Sequence, residues 1–363
     1  MLGAVREGVE RVLRAAALSA SRTARRGKIV VQTYRGYGSS KHLFLMGRVL
    51  RRPPEIEASG GGLWDNLRKL SRLMRAWGIE KARLSARFDD IDKTVETDRD
   101  GYFRIELDLP KPPPAGRHWH QVSLRLDHPV TIETLGDVFV PGDRAGFAVI
   151  SDIDDTVMHT GVANKLMMMW RLFVQGADGR TAFPGMAPFL RALHQGPGGD
   201  NGNPMLYVSR APWAIYGVLE RFFHLHDIPV GPILFLREWG MTLQHPFPKR
   251  GKGHKIGLIR QMMTHYDDLP FILIGDSGQR DPEVYAEIVR NFPGRVLAIY
   301  IRDVSANPTR DRAIQQMATD LAKSGSSMML AADTEAMAKH AAARGWIAEA
   351  ALAEIRAEIQ QPS

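Results

Sequence analysis

Residues Phe147-Ala-Val-Ile-Ser-Asp-Ile-Asp-Asp-Thr156 form a short apolar run that ends abruptly in three carboxylates and a threonine. A run of this length between polar residues is typical of a buried strand in a parallel sheet. Burying Asp152, Asp154 and Asp155 in a core without partners would be costly. We therefore expect them to emerge at the carboxyl end of the strand, where open α/β sheets bind ligands. A solvated acidic turn that caps a helix is the alternative.

The composition is that of a globular protein with about two domains. The chain has 363 residues, of which 44% are hydrophobic and 24% are charged. There is no cysteine, which excludes disulfides, thiolate metal sites and cysteine nucleophiles. No apolar run approaches the roughly 18 residues of a membrane-spanning helix. The net charge of +8 indicates an acidic partner, but charge alone does not choose among lipid headgroups, nucleic acid and a phosphorylated substrate.

The amino-terminal part is predicted to contain a basic arm and a β domain. Residues 1–28 are rich in arginine and have apolar positions at helical spacing, so they predict a basic amphipathic helix that could lie on an anionic membrane. A helix packed on its own protein, a loose arm and an organellar transit peptide are alternatives. Residues 29–145 show β-rich segments separated by turn signals, which predict a β-sandwich-like domain. One helix is expected near 63–77.

Residues 146–306 alternate strand and helix patterns, which is typical of a doubly wound parallel sheet covered by helices on both faces. A helical tail, residues 307–363, is expected to pack on this domain. The Met-rich stretch 166–174 either packs into a core or receives acyl chains. The predicted strands are 147–151, 205–209, 232–236, 271–275 and 296–301, and the predicted helices are 185–194, 212–224, 254–266 and 282–292.

Polar residues follow three of these strands and precede one helix. The strand ends are Asp152-Ile-Asp154, Ser209-Arg210 and Gly275-Asp276-Ser-Gly-Gln-Arg-Asp281, and the helix follows Lys249-Arg-Gly-Lys-Gly-His-Lys255. In a doubly wound sheet these strand ends lie on one edge, so residues far apart in sequence can meet. Carboxylates without a histidine cluster are the oxygen ligands expected for Mg²⁺. With a hydroxyl group and a lysine, they suit phosphoryl transfer.

The order of these motifs resembles that of the haloacid dehalogenase superfamily: Asp-x-Asp-x-Thr, a strand-end Ser, a Lys, and Gly-Asp-x-x-x-x-Asp. The fuller strings resemble the actin-patch type of phosphatidate phosphatase and its bacterial relatives. The resemblance covers about 147–304, and Tyr34-Arg-Gly-Tyr37 is also similar to the family's amino-terminal region. The strings are Ser151-Asp-Ile-Asp-Asp-Thr156, Tyr207-Val-Ser-Arg-Ala-Pro-Trp213, His254-Lys255 and Ile274-Gly-Asp-Ser-Gly-Gln-Arg-Asp-Pro-Glu283.

The resemblance implies a nucleophile, an acid/base and a metal site. Asp152 would attack phosphorus and form an aspartyl-phosphate, and Asp154 would protonate the leaving alkoxide and then activate water. Mg²⁺ would be held by Asp152, by the backbone carbonyl of Asp154 and by Asp276. Thr156 would support the turn of the motif. Asp155 has no role that the resemblance supplies.

The remaining site residues would bind or orient the phosphoryl group. Ser209 would donate a hydrogen bond to a phosphoryl oxygen, and Lys255 would balance charge on the nucleophile and the phosphate. Asp281 would orient Lys255 or a water molecule beside the metal. Arg210 and His254 are candidate substrate-binding residues. Relatives often carry a second small hydroxyl residue at the position of Arg210, so the contacts with substrate are left open.

The expected function is Mg²⁺-dependent hydrolysis of a phosphomonoester, with phosphatidate as the substrate and diacylglycerol as the product. The alternatives are a phosphatase of a soluble or protein phosphomonoester and, in a different class, a non-catalytic adaptor that binds a membrane or a protein. A phosphorylated lipid or an anionic membrane surface is the expected partner, and nucleic acid is not expected. The expected location is cytoplasmic, peripheral on the inner membrane surface. The pattern leaves the oligomeric state open.

Overall fold

A computed structural model describes residues 27–52, 77–153, 156, 183–209, 213–235, 253–305, 307–323 and 325–360. Three sequence predictions lie wholly or almost wholly outside these residues: the basic arm 1–28, the helix at 63–77 and the Met-rich stretch 166–174. Among the described helices, none is long and apolar enough to cross a membrane.

The first eight strands form a β domain. Strand β1 pairs with β2 on one side and with β8 on the other, and all pairs in this sheet are antiparallel except β1–β8. The sheet order is β3-β2-β1-β8-β7-β4-β5, with β6 also paired to β2. The strands are β1 Lys28–Gly38, β2 His42–Arg52, β3 Trp77–Gly78, β4 Arg83–Phe88, β5 Ile91–Glu96, β6 Tyr102–Asp108, β7 Trp119–His128 and β8 Ile132–Phe139.

Alternation of apolar and polar residues gives this domain its core. In β7, Val122, Leu124 and Leu126 are buried while the residues between them are exposed, as expected of a strand with one face on a core. Side chains of β2 and β6 belong to the same core as those of β4 and β7. The two ends of the sheet therefore pack on each other, which agrees with the predicted β domain.

The second sheet is parallel throughout and lies in the other half of the chain. Its order is β11-β10-β9-β12-β13-β14. Numbered within this sheet, the order is 3-2-1-4-5-6, which is that of a doubly wound fold with its switch point between the first and fourth strands. The strands are β9 Ala148–Asp152, β10 Met205–Ser209, β11 Ile233–Phe235, β12 Phe271–Asp276, β13 Val296–Arg302 and β14 Ser327–Ala331.

Strand β14 is a difference from the sequence prediction, which assigns residues 307–363 to helices alone. The strand Ser327-Met-Met-Leu-Ala331 pairs with β13 along its whole length, so the tail completes the sheet. Its sequence contains no β-branched residue, and Met, Leu and Ala are good helix formers. The pairing with β13 therefore outweighs the local preference.

Three of the four helices with predicted bounds agree with the structure to within one residue, whereas α2 begins at Tyr216, four residues after the predicted start at 212, because a 3-10 turn precedes it. Two helices of the tail begin at side-chain caps, since Asn307 accepts from the backbone of Thr309 and Asp333 accepts from that of Ala336. The helices are α1 Met186–Gln195, α2 Tyr216–Leu225, α3 Gly253–His265, α4 Asp281–Asn291, α5 Pro308–Ala322, α6 Thr334–Ala343 and α7 Ala351–Gln360, with a 3-10 turn at Trp213–Ile215.

The β domain packs on α2 and on the turn before it. The ring of Tyr34 lies 4.3 Å from that of Trp213. The backbone N–H of Arg35 donates to the hydroxyl of Tyr216 at 2.9 Å, and its guanidinium pairs with Glu220 at 2.6 Å. Because α2 follows β10 closely in the chain, the β domain supports the segment next to the carboxyl end of β10.

Candidate functional site

Three strands of the parallel sheet end in polar residues at one edge. Asp152, Ser209 and Asp276 are the last residues of β9, β10 and β12, and all three are fully buried. Strand β9 is paired with both β10 and β12, so the three residues lie at neighbouring strand ends on one edge of the sheet, next to its switch point. This is the position where open α/β sheets bind ligands.

Lys255, near the start of α3, bridges two carboxylates at this edge. Its Nζ lies 2.6 Å from Oδ1 of Asp152 and 2.6 Å from Oδ1 of Asp281. Burial lowers the pKa of Lys255, but the attraction of Asp152 and Asp281 outweighs burial and raises that pKa well above its ordinary value. Lys255 is therefore a protonated, fixed cation between the two carboxylates.

Asp152, Asp276 and Asp281 form a compact carboxylate cluster. One oxygen from each lies within 4.8 Å of the others. Burial, followed by repulsion from Asp281, raises the pKa of Asp276 to about 7. Crowded carboxylates of this kind need a cation or shared protons. The oxygen-only donor set fits Mg²⁺, which prefers carboxylate ligands.

Gln279 is a member of the site that the sequence analysis does not single out. Its backbone N–H donates to Oδ1 of Asp276 at 2.8 Å, and its side-chain Nε2 lies 2.8 Å from Oδ2 of Asp276 and 3.5 Å from Oδ2 of Asp152. The amide therefore places partial positive charge between the two carboxylates. A search for charged or metal-ligating residue types does not find a neutral glutamine, although the polar loop around it does indicate a site.

Gly275 allows Asp281 to approach the end of β12. A Cβ atom at this position would lie 2.5 Å from Oδ2 of Asp281 and 2.9 Å from the ring of Tyr285, closer than real Cβ contacts allow. Tyr285 is itself fixed, because its hydroxyl donates to the carbonyl of Ile274 at 3.0 Å. The ring of Tyr285 also lies 5.3 Å from Nζ of Lys255, so it favours the lysine's positive charge.

The structure does not reach every predicted site residue. Asp154, Asp155 and Arg210 lie outside the described residues, as does the side chain of His254. Thr156 is fully buried, and its hydroxyl has no hydrogen-bond partner among the residues that the structure describes. Its predicted role in supporting the turn therefore does not use a hydrogen bond to any of those residues.

Comparison with known proteins connects this site to a family. The model of the family "Phosphatidate phosphatase APP1, catalytic domain" matches residues 147–303. An uncharacterized protein of Schizosaccharomyces pombe is 31% identical over 169 residues, which cover 46% of this chain and 26% of the relative. Phosphatidate phosphatase APP1 of Saccharomyces cerevisiae is 30% identical over 204 residues, which cover 53% of this chain and 33% of the relative.

The coverage of the relatives and the likeness to solved structures are both low. The chain spans only about a quarter to a third of the length of these curated relatives. A carbohydrate acetylesterase from Xanthomonas citri aligns over 82% of this chain and 75% of its own, at 11% identity and a TM-score of 0.28, which is too weak a likeness to support an argument. The matched residues 147–303 include Asp152, Ser209, Lys255, Asp276 and Asp281, so the part of the chain that builds the site is the part that is similar to the catalytic domain of phosphatidate phosphatase APP1.

Proposed function

We propose that the protein is a Mg²⁺-dependent phosphatase that hydrolyses a phosphomonoester through an aspartyl-phosphate on Asp152, on a fold of the haloacid dehalogenase type. The observation that carries the proposal is the buried Lys255, which bridges Asp152 and Asp281 beside Asp276 at the carboxyl edge of the sheet. Such an edge supplies a fixed carboxylate, a fixed cation and a cluster of oxygen ligands within reach of one phosphoryl group. The match of residues 147–303 to the model of the APP1 catalytic domain supports the same chemistry.

The proposed reaction has two displacement steps at phosphorus. A carboxylate oxygen of Asp152 forms a bond to phosphorus while the bond to the ester oxygen breaks, and the leaving alkoxide takes a proton from Asp154. Water then attacks the phosphorus of the aspartyl-phosphate and gives a proton back to Asp154. The bond between phosphorus and Asp152 breaks, which releases phosphate and restores both carboxyl groups.

In this reaction the protein acts mainly by placing positive charge next to the phosphoryl group. Uncatalysed hydrolysis of phosphate monoesters is among the slowest reactions known, so positioning and electrostatics must supply most of the acceleration. Lys255 fixes the orientation of the Asp152 carboxylate and adds positive charge near the phosphoryl oxygens. When bound, Mg²⁺ would be held by Asp152, Asp276 and the backbone carbonyl of Asp154, and it would neutralise charge on the phosphoryl group.

Phosphatidate is the proposed substrate and diacylglycerol the proposed product, because the matching family and the S. cerevisiae relative carry the name phosphatidate phosphatase. A soluble or protein phosphomonoester is the alternative within phosphatases, since related catalytic domains share chemistry while other segments select the substrate. A non-catalytic adaptor is the alternative of a different class. The buried, charge-paired Lys255 favours the enzyme.

The test measures phosphate release by the purified full chain with Mg²⁺. Wild type should hydrolyse phosphatidate in mixed micelles, and Asp152→Asn and Asp154→Asn should lower kcat at least ~1000-fold, since removing a nucleophile or its acid/base typically has effects of this order. Asp320→Asn is the control, because Asp320 is an exposed carboxylate that pairs with Lys323 and lies outside the carboxylate cluster. Addition of EDTA should abolish the wild-type activity.

The substrates in this assay separate the alternatives. A wild-type chain that releases no phosphate from either lipid or soluble esters would refute the enzyme and favour the adaptor. Equal or faster turnover of a soluble ester would remove the lipid substrate and leave the phosphatase. Residual activity of Asp152→Asn near that of wild type would exclude the aspartyl-phosphate.

Attachment to an anionic membrane surface on the cytoplasmic side is a separate part of the proposal. It depends on the arginine-rich residues 1–28, whose net positive charge would attract anionic headgroups. Co-sedimentation with vesicles containing anionic lipid should be stronger for the full chain than for a chain that starts at residue 29. Equal binding by the two chains would contradict the proposal that the basic arm, residues 1–28, attaches the protein to membranes.

A further inference from the structure

Arg310, in the first turn of α5, makes an unusual set of contacts with the loop that carries Asp276. This loop, residues 276–281, connects β12 to α4 and is called the Asp276 loop below. The Nε of Arg310 donates to the carbonyl of Ser277 at 3.0 Å, and Nη2 donates to the carbonyl of Gln279 at 2.8 Å. Both acceptors are backbone atoms of the loop, so Arg310 fixes its path rather than a single side chain.

The same guanidinium also joins the loop to the helix that follows. Arg310 forms a two-pronged ion pair with Glu283 in the first turn of α4, with Nη2 at 2.9 Å from Oε2 and Nη1 bonded to Oε1. Helix α4 begins at Asp281 without a side-chain cap from Arg280. The fork of Arg310 therefore holds the helix start and the loop in one arrangement, which a single point charge could not do.

Arg310 is itself placed firmly enough to act in this way. Asn307 caps α5 and accepts hydrogen bonds from the backbone of Thr309 at 3.0 Å and of Arg310 at 3.4 Å. The side chain of Arg310 is only 21% exposed. Among the causes that raise its pKa, the hydrogen bond with Glu283 is the largest, and the charges of Asp276 and Asp281 also contribute.

The connection between β13 and α5, residues 303–307, also contacts the Asp276 loop at Ser277. The hydroxyl of Ser277 donates to Asp303 at 3.0 Å and accepts from the backbone N–H groups of Val304 and Ser305 at 2.9 and 3.0 Å. The connection between β13 and α5 thus supports the Asp276 loop at Ser277. Arg310, in the first turn of α5, supports the same loop at Gln279. Gln279 in turn contacts Asp276 through both its backbone and its amide.

We propose that Arg310 is a positioning residue, which holds the Asp276 loop so that Asp276, with Gln279 hydrogen-bonded to it, faces Asp152 at the site of the divalent cation. This inference rests on the proposed function and deepens it. Arg310 lies seven residues beyond the segment 147–303 that matches the family model, in the part of the chain that the sequence assigns to a packing tail. The tail therefore takes part in building the site.

Metal binding tests the proposal without depending on activity. Mn²⁺ is titrated as a stand-in for Mg²⁺ by calorimetry into the full-length chain. Partners that orient metal ligands typically contribute 10- to 100-fold to metal affinity, so Arg310→Gln should raise the Kd for Mn²⁺ by ~10- to 100-fold. Arg310→Lys, which can still donate to one carbonyl, should recover part of this loss. With a soluble aryl phosphate, kcat should fall more than KM rises.

Arg191→Gln is the matched control. Arg191 is also 21% exposed and also joins a helix to another part of the chain, because it pairs with Glu354 at 2.7 Å and donates to the carbonyl of Asp227 at 2.9 Å. Its loss should change the urea midpoint about as much as the loss of Arg310, while the Kd for Mn²⁺ stays within about twofold of wild type, since Arg191 does not contact the Asp276 loop.

The outcomes distinguish this inference from the proposed function. Wild-type affinity for Mn²⁺ in Arg310→Gln, or an equal loss in Arg191→Gln, would overturn the positioning role even if the chain is an active phosphatase. A wild type that binds Mn²⁺ but hydrolyses no ester would refute the proposed function, and the comparison of Kd values would still decide the role of Arg310. A wild type that binds no Mn²⁺ would overturn both.

Discussion

Replacing Asp276 with asparagine should make the metal-free protein more stable at alkaline pH while removing a proposed metal ligand. Asp276 is fully buried, and its pKa is raised to about 7 by burial and then by the charge of Asp281. Asp152 and Lys255 face the same cluster from β9 and α3. Asparagine has nearly the same shape but cannot ionise, so it removes the repulsion without opening a cavity.

The magnitude follows from linkage between protonation and folding. A carboxyl group whose pKa rises from 3.8 to about 7 on folding holds its proton longer in the folded state. Its contribution to stability is complete below pH 3.8 and is lost as the pH rises through 7, at ~1.4 kcal/mol per pH unit and roughly 4 kcal/mol in total. The asparagine amide would lose one of the hydrogen bonds from Gln279, at about 1–3 kcal/mol. The net gain at pH 8 is therefore about 1–3 kcal/mol.

The assay is urea unfolding at 25 °C in EDTA, from pH 5 to pH 8, for wild type and Asp276→Asn. The difference in the free energy of unfolding should move in favour of the variant as the pH rises, and in Mg²⁺ the wild type should regain stability that the variant does not. Asp320→Asn, at an exposed position that pairs with Lys323, controls for the change from carboxylate to amide. A difference that stays constant between pH 5 and pH 8 would refute the reasoning, because Asp276 would then ionise equally in the folded and unfolded states.

Three further experiments probe the cluster, the glycines near it and the contact between the β domain and α2. Lys255→Met should lower the free energy of unfolding in EDTA by ~3–5 kcal/mol, because it leaves buried carboxylates without their cation; a smaller loss at pH 5 than at pH 8 would support this reason, and the reverse would contradict it. Gly275→Ala should destabilise by about 1–3 kcal/mol through its clash, whereas Gly257→Ala, in α3 and facing open space, should stabilise by ~0.5–1 kcal/mol. A double-mutant cycle on Arg35→Ala and Glu220→Ala should show a coupling of about 0.5–1 kcal/mol, and additivity would show that this pair does not join the β domain to α2.

Much of the site can be predicted from the polar residues that end the apolar runs of the sequence. Asp152, Ser209 and Asp276 each terminate a strand whose residues are all buried, and the alternation of strands and helices predicts that parallel strands present these ends together. The register of the strands and the distances between the side chains of the site cannot be predicted in this way. The family resemblance implies that Lys255 acts on Asp152 and that Asp281 orients Lys255 or a water molecule. The pattern of strands and helices alone does not predict the two contacts of Lys255 at 2.6 Å, because they depend on how α3 and α4 pack.

Gln279, Arg310 and strand β14 are not predicted from the sequence, and each has a physical reason. Gln279 is neutral, so it does not resemble a ligand or an acid. Arg310 is 27 residues from its ion-pair partner Glu283, and it lies in an amphipathic stretch where a charged residue looks like part of a solvated face. Strand β14 is composed of helix-forming residues, and only its pairing with β13 makes it a strand.

Because β14 completes the parallel sheet, the segment that matches the family model does not contain the whole sheet. The segment 147–303 that matches the family ends just after β13. Cut at that point, the sheet would expose the unpaired backbone of a strand whose side chains are nearly all buried in the intact chain. Long, apolar, unpaired edges are templates for intermolecular association. The unit that can be inherited or transplanted without aggregating is therefore longer than the stretch that carries the reactive side chains.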